Sequence, residues 1–233
     1  MTRSTCLLAT CLILATPAPG AHAQDTLLGA GLRSRPDYDG SRDQVTDLIP
    51  FIRYYGRPWF ARTTQGVLEA GARSELDRDF WIGAQIAYEE EFEPTGVDAG
   101  LSAGLHMEWD RRFGAMPVNF LLRARQHLDR DFGGQADLRV TAGVYERGGA
   151  RAGVFGQATW GTENAVASRY GARDSGMLFA TFGVLGSYDL AARWTLIGSF
   201  ALRQLYDAAR ESVLAEEASG YYASLSLAYR FPR

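Results

Sequence analysis

From Leu27 onward the chain repeats one pattern: about ten residues in which every second position is apolar, followed by a polar break. A period of two describes a strand whose two faces meet different surroundings. The final segment shows it best. Tyr221, Ala223, Leu225, Leu227, Tyr229 and Phe231 fall on one face, and Tyr222, Ser224, Ser226, Ala228 and Arg230 on the other. The same patterning predicts strands at 27–32, 45–55, 59–63, 67–74, 80–90, 97–109, 118–128, 136–146, 152–160, 177–188, 194–206 and 219–231. Few stretches carry a helical period. Taken as one long strand, Trp59 to Ser74 would make the total eleven, whereas single-chain bacterial barrels have even counts. Splitting that segment at Thr64–Gly66 restores parity and gives twelve, with ten as the alternative if the segment is one distorted pair. The expected fold is therefore all-β, a transmembrane antiparallel up-and-down barrel.

Connection lengths orient it. The breaks at 56–58, 75–79, 110–117, 147–151 and 189–193 alternate with those at 33–44, 64–66, 91–96, 129–135, 161–176 and 207–218, which are mostly longer. Outer-membrane barrels carry short periplasmic turns and longer extracellular loops, so both termini are expected in the periplasm. Aromatic residues favour the membrane interface. Trp59, Trp81, Trp109 and Trp194 lie beside the short turns, with Tyr55, Tyr145, Tyr188, Tyr229 and Phe231 nearby, and read as a periplasmic girdle; Trp160 falls at the outer end. A C-terminal strand ending on Phe231 is the form that barrel-insertion machinery receives.

The charged positions share the opposite phase. Glu69 with Arg73, Gln85 with Glu89, His106 with Glu108, Arg123 with Arg125 and His127, and Asp137 with Arg139 are each on one face of a segment, across from Leu68, Ile82, Ile86, Leu101 and Leu105. An arginine facing lipid near the midplane costs about 2–4 kcal/mol, so these faces are expected to line the lumen. About eight strands leave an interior filled by side chains and 16 to 18 an open channel. Twelve strands furnished with long arginines opposite carboxylates point to a partly occluded interior and a structural ion-pair network.

Residues 1–23 read as a secretory signal: Arg3, an apolar stretch from Cys6 to Ala15, helix breakers at Pro17, Pro19 and Gly20, and A-H-A before Gln24. The mature domain would run from 24 to 233, in the outer membrane of a Gram-negative bacterium and in contact with its lipid. Cys6 and Cys11 leave with the signal, which removes disulfides and thiolate chemistry from the mature chain. The 24 basic residues, all arginine, against 27 acidic ones give a formal charge of −3 with no basic run, so nucleic acid is not an expected partner. Lysine-based catalysis has no residue to use. His106 and His127 face the lumen, no G-x-S-x-G motif is present, and His106 with Glu108 reads as a lumen hydrogen bond. Metal binding at that pair lacks a third ligand. Neither catalysis nor a cofactor is expected, and the outer loops at 35–43 and 208–217 are the exposed contact surfaces.

Several segments together carry a family resemblance. They are LGAGLRSRPDYDGS at Leu28–Ser41, IPFIRYYGRPWFARTTQGVLEAGAR at Ile49–Arg73, QIAYEEE at Gln85–Glu91, YDLAARWTL at Tyr188–Leu196, and LYDAARES at Leu205–Ser212 before the last strand. On these the chain resembles the MipA/OmpV outer-membrane proteins. The resemblance implies a scaffold joining a periplasmic murein hydrolase to a murein synthase. A narrow diffusion channel for small solutes is the alternative function, and a lipid-modifying enzyme a weaker one.

Overall fold

The computed structural model describes residues 26–64, 66–89, 95–97 and 99–232. The expected signal segment, Gln65 in the predicted hairpin, Glu90 at the end of a predicted strand and Arg233 at the chain end lie outside the described residues. Twelve strands run antiparallel: β1 (Leu27–Pro36), β2 (Gln44–Tyr55), β3 (Trp59–Thr64), β4 (Val67–Asp77), β5 (Phe80–Glu89), β6 (Gly100–Phe113), β7 (Met116–His127), β8 (Gly134–Arg147), β9 (Ala150–Gly161), β10 (Gly176–Ala191), β11 (Trp194–Leu205) and β12 (Ser219–Arg230). Each pairs with its sequence neighbours, and β12 returns to β1 from Leu27↔Arg230 to Ser34↔Ala223, closing the barrel. Closure matters because hydrocarbon offers no hydrogen bonds to an open sheet edge.

At the end where β1 begins and β12 finishes, the expected periplasmic end, the strands run further than the apolar alternation suggests. β6 continues from Trp109 to Phe113, and β4 from Ser74 to Asp77, so the turns shrink to Arg78–Asp79, Gly114–Ala115, Gly148–Gly149 and Ala192–Arg193. Backbone pairing persists past the lipid boundary, where side chains face water on both sides and hydrophobic periodicity has nothing to report. Positive φ angles at Gly114 (63°), Gly148 (60°) and Gly149 (81°) supply the turn geometry that two-residue hairpins need.

β3 is the exception, with six residues. It pairs with the twelve-residue β2 only at Arg53↔Arg62, Tyr54↔Ala61 and Tyr55↔Phe60. Where the ladder stops, the Thr63 hydroxyl donates to the Pro50 carbonyl at 3.0 Å and accepts from the Ile52 N–H at 3.2 Å. Pro50 has no N–H to leave unpaired at this edge.

The outer connections fold into a cap. Two short helices, α1 (Glu163–Tyr170) and α2 (Asp207–Glu211), form where the sequence reads as loop. Val166, Tyr170 and Ala209 from these helices pack with Val97, Leu178, Phe179 and Leu205, and Tyr38 of the β1–β2 loop packs against that cluster. This is the only apolar cluster of the described residues inside the barrel's outline, and it sits over the outer mouth.

Elsewhere the apolar face points outward and the polar face inward. Leu105 is 67% exposed, in company with Leu48, Ile86, Leu138, Phe182, Leu202 and Leu225, whereas Glu69 is wholly buried. No helix of the described residues is long and apolar enough to cross a membrane, and here the crossing is made by strands. Replacing Leu105 by arginine is expected to cost about 2–4 kcal/mol in urea unfolding from lipid vesicles. The lumen-facing Ser226→Ala change should stay within about 1 kcal/mol.

Candidate functional site

An ion-pair belt lies along one half of the inner wall. Glu69 is its centre. Arg62, its register partner on β3, donates Nε to Glu69 Oε2 at 2.7 Å, and Arg123 from β7 pairs with Oε1. Arg123 also meets Asp137 at 3.2 Å, Arg125 meets Asp137 at 3.1 Å and Glu89 at 3.0 Å, and Glu108 holds both Arg62 and Arg73, the latter at 2.7 Å. Thr159 and Gln157 donate to Asp137 Oδ1 at 2.7 and 3.2 Å. Several inward positions between these groups are small: Gly71, Gly83, Ala87 and Gly104. They leave room for guanidinium groups to lie flat across the sheet, and a side chain added at Gly83 would run into the His106 ring.

The sequence-predicted residues divide. Glu69, Arg73, Glu89, Glu108, Arg123, Arg125 and Asp137 are brought together in ion pairs. His106 and His127 share the lumen face but join no ion pair: His106 packs edge-on against Phe60 at 4.9 Å, and His127 against Phe132 at 4.9 Å while bonding the Asp129 backbone. The predicted His106–Glu108 hydrogen bond is not formed, because both Glu108 oxygens are taken by arginines. Arg139 also stands outside the pairing. Arg62, which the sequence pattern does not single out, joins the belt because it shares the inward face of the short β3 with the buried Phe60.

The girdle also needs correction. Trp59, Trp109 and Trp194 are exposed on the outer face; Trp194 stacks edge-on with Tyr229 at 5.3 Å, and Tyr229 with Phe231 at 5.1 Å. Trp81 instead shares the phase of Gln85 and lies inside, its ring 4.3 Å from the Arg73 guanidinium, with Tyr55 at 4.5 Å on the same arginine. Proximity to a turn does not say which way a ring points; the phase within the strand does.

A second polar cluster ties the cap to the barrel. Asp39, in the β1–β2 loop, receives Arg203 Nη1 at 2.6 and 2.7 Å and the Tyr222 hydroxyl. Burial by itself pushes this carboxyl up, but Arg203 and the Tyr222 hydrogen bond outweigh it and hold it below the usual aspartate range. The tether is therefore ionised at neutral pH. Asp47 receives Arg33 at 2.5 Å and Arg35 at 3.2 Å on the same side of the mouth.

The interior that remains is divided. A vestibule of about 990 Å³ at the expected periplasmic end adjoins a mid-lumen chamber of about 410 Å³, and a pocket of about 150 Å³ lies beneath the cap. Loss of one belt carboxylate should be felt by the whole barrel: Glu69→Gln leaves Arg62 and Arg123 short of a counter-charge and is expected to destabilise by about 3–5 kcal/mol in urea titration. Glu217→Gln, breaking the exposed Arg42–Glu217 pair, should cost at most about 1 kcal/mol in the same measurement.

Solved structures share this architecture at low identity. An outer-membrane channel from Pseudomonas putida F1 superposes with a TM-score of 0.58 at 12% identity, over 92% of this chain and 97% of the other. The NanC porin superposes with a TM-score of 0.55 at 11% identity, over 88% of this chain and all of the other. No curated protein matches the chain in sequence. The profile of the family described as MltA-interacting protein MipA matches residues 28–231, nearly every residue of the barrel. With its closed twelve-stranded wall and outward apolar face, the chain belongs to the MipA family of outer-membrane barrels.

Proposed function

We propose that this protein is an interaction scaffold of the outer membrane, holding murein-remodelling enzymes at its periplasmic face. The observation that carries this reading is the occupied lumen: one half is crossed by the ion-pair belt, and the outer mouth lies under α1, α2 and the Asp39 tether. A barrel closed in this way anchors better than it conducts. The family description, MltA-interacting protein, supplies the class of partner. Available contact surface on the periplasmic side consists of five short turns, and a stable interface needs about 800 Å² per partner. A partner must therefore span several turns at once, with Arg78, Arg112 and Arg147 at their rims.

Photocrosslinkers placed at Arg78, Arg112 and Arg147 in intact envelopes are expected to capture a periplasmic murein hydrolase or synthase. Recovery of nothing but lipids and other barrels would remove the basis for the scaffold.

A narrow diffusion channel is the second reading, favoured by the cavities in series and by the channel and porin titles of the structural neighbours. Planar bilayers separate the two. The scaffold reading expects no regular single-channel steps from the intact protein. Reproducible steps that change when Arg123 and Arg125 are both replaced by glutamine would establish the channel instead.

A further inference from the structure

The belt does not balance at one residue. Arg62, Arg73, Arg123 and Arg125 each hold a carboxylate, and Glu69, Glu89, Glu108 and Asp137 are all engaged by them. Arg139, two residues beyond Asp137 on β8, is only 9% exposed yet holds none among the described residues. Its hydrogen bonds go to neutral oxygens at the limit of bonding distance, Gln157 at 3.4 Å and Thr141 at 3.5 Å, and its guanidinium lies 3.8 Å from the centre of the Phe155 ring. A buried cation is tolerated when a counter-charge is beside it, and neutral acceptors at such lengths do not replace one.

Arg139 lines the mid-lumen chamber, as does Arg53, a cation on β2 that forms no ion pair among the described residues. Asp110 also borders the chamber, but it accepts from Asn119 at 2.9 Å and pairs with neither arginine. The chamber also offers an apolar surface, with Phe51 beside Arg53 on β2 and Ile197 on β11, and a hydroxyl one in which Ser199 and Ser224 bond each other at 2.8 Å. Arg53, Thr141, Leu185 and Ile197 line the periplasmic vestibule as well, so the two volumes adjoin, while the belt and cap lie on the far side.

We infer that the mid-lumen chamber is a binding site, reached from the periplasm, for a small organic carboxylate whose charge is held by Arg139, with Arg53 on the facing wall adding to the positive field. A planar guanidinium fork matches a carboxylate with two parallel hydrogen bonds, which a halide cannot reciprocate. The apolar wall favours a carbon body over a bare inorganic anion, and about 410 Å³ limits that body to a small molecule. The site is independent of the scaffold reading, since it lies inside the wall and the partner would dock on the turns outside it.

Benzoate and its neutral analogue benzamide, titrated calorimetrically into the folded barrel in detergent, test this. Benzoate is expected to bind at one site and benzamide at least ten-fold more weakly. Arg139→Gln should weaken benzoate at least ten-fold, and Arg53→Gln, at an exposed position that makes none of the belt's ion pairs, should weaken it measurably. Millimolar benzoate should also raise the thermal midpoint of the intact protein but not that of Arg139→Gln. Equal binding of the two probes, no binding at millimolar concentration, or benzoate affinity indifferent to both substitutions would overturn the proposal. Inorganic phosphate binding as tightly as benzoate would overturn the assignment to a carboxylate with a carbon body. Retention of the heat-modifiable mobility of a folded barrel identifies any variant that fails for lack of structure, in which case Arg53→Gln carries the test.

Discussion

Hydrocarbon provides no partner for a backbone N–H or C=O, and the rest of this structure follows from that. A sheet in a bilayer must close on itself, so β12 pairs back to β1 and every strand presents one face to lipid and the other to the lumen. The hydrophobic effect then works in reverse of a soluble domain: leucines are exposed and carboxylates buried. Where pairing between β2 and the short β3 stops, Thr63 bonds the free backbone groups of β2 and a proline stands in the edge.

Closing twelve strands encloses more space than apolar side chains could fill without exposing them to water at both mouths. The protein fills half of it with charge. Long arginines from β3, β4 and β7 lie over glycines and alanines of their neighbours, and the carboxylates between them make an alternating belt. Such a lattice holds only while almost every charge has its opposite within reach, because the surroundings screen poorly. The surplus at Arg139 acquires meaning against that accounting: an ordinary surface arginine without a partner would signify nothing, whereas this buried one lines the mid-lumen chamber beside the belt.

Much of the architecture was legible in the linear pattern, for a physical reason. Alternation over strands such as 80–89 or 219–230 records two solvents directly, and the parity rule located the hairpin after Thr64 that pattern alone would have passed over. What failed did so where the pattern lost its physical cause. The turn boundaries were drawn too wide because strands beyond the bilayer still pair but no longer alternate in polarity. Distance from a turn puts Trp81 in the girdle, whereas its phase with Gln85 places it inside against Arg73. The helices α1 and α2 were missed because each is short and its apolar residues, Val166, Tyr170 and Ala209, find their partners on distant strands.

The sequence by itself determined which face of most strands meets lipid, that the chain crosses an even number of times, and that the lumen would carry both signs of charge, since each is a matter of local period and composition. Only the tertiary structure decided how those charges combine. Glu69 and Arg123 are 54 residues apart and meet across two intervening strands, Asp39 finds Arg203 across 164, and Arg139 is left over because of where its neighbours reach. Period assigns a side chain to a face; barrel curvature, register and the small residues between strands determine which other side chain it can touch.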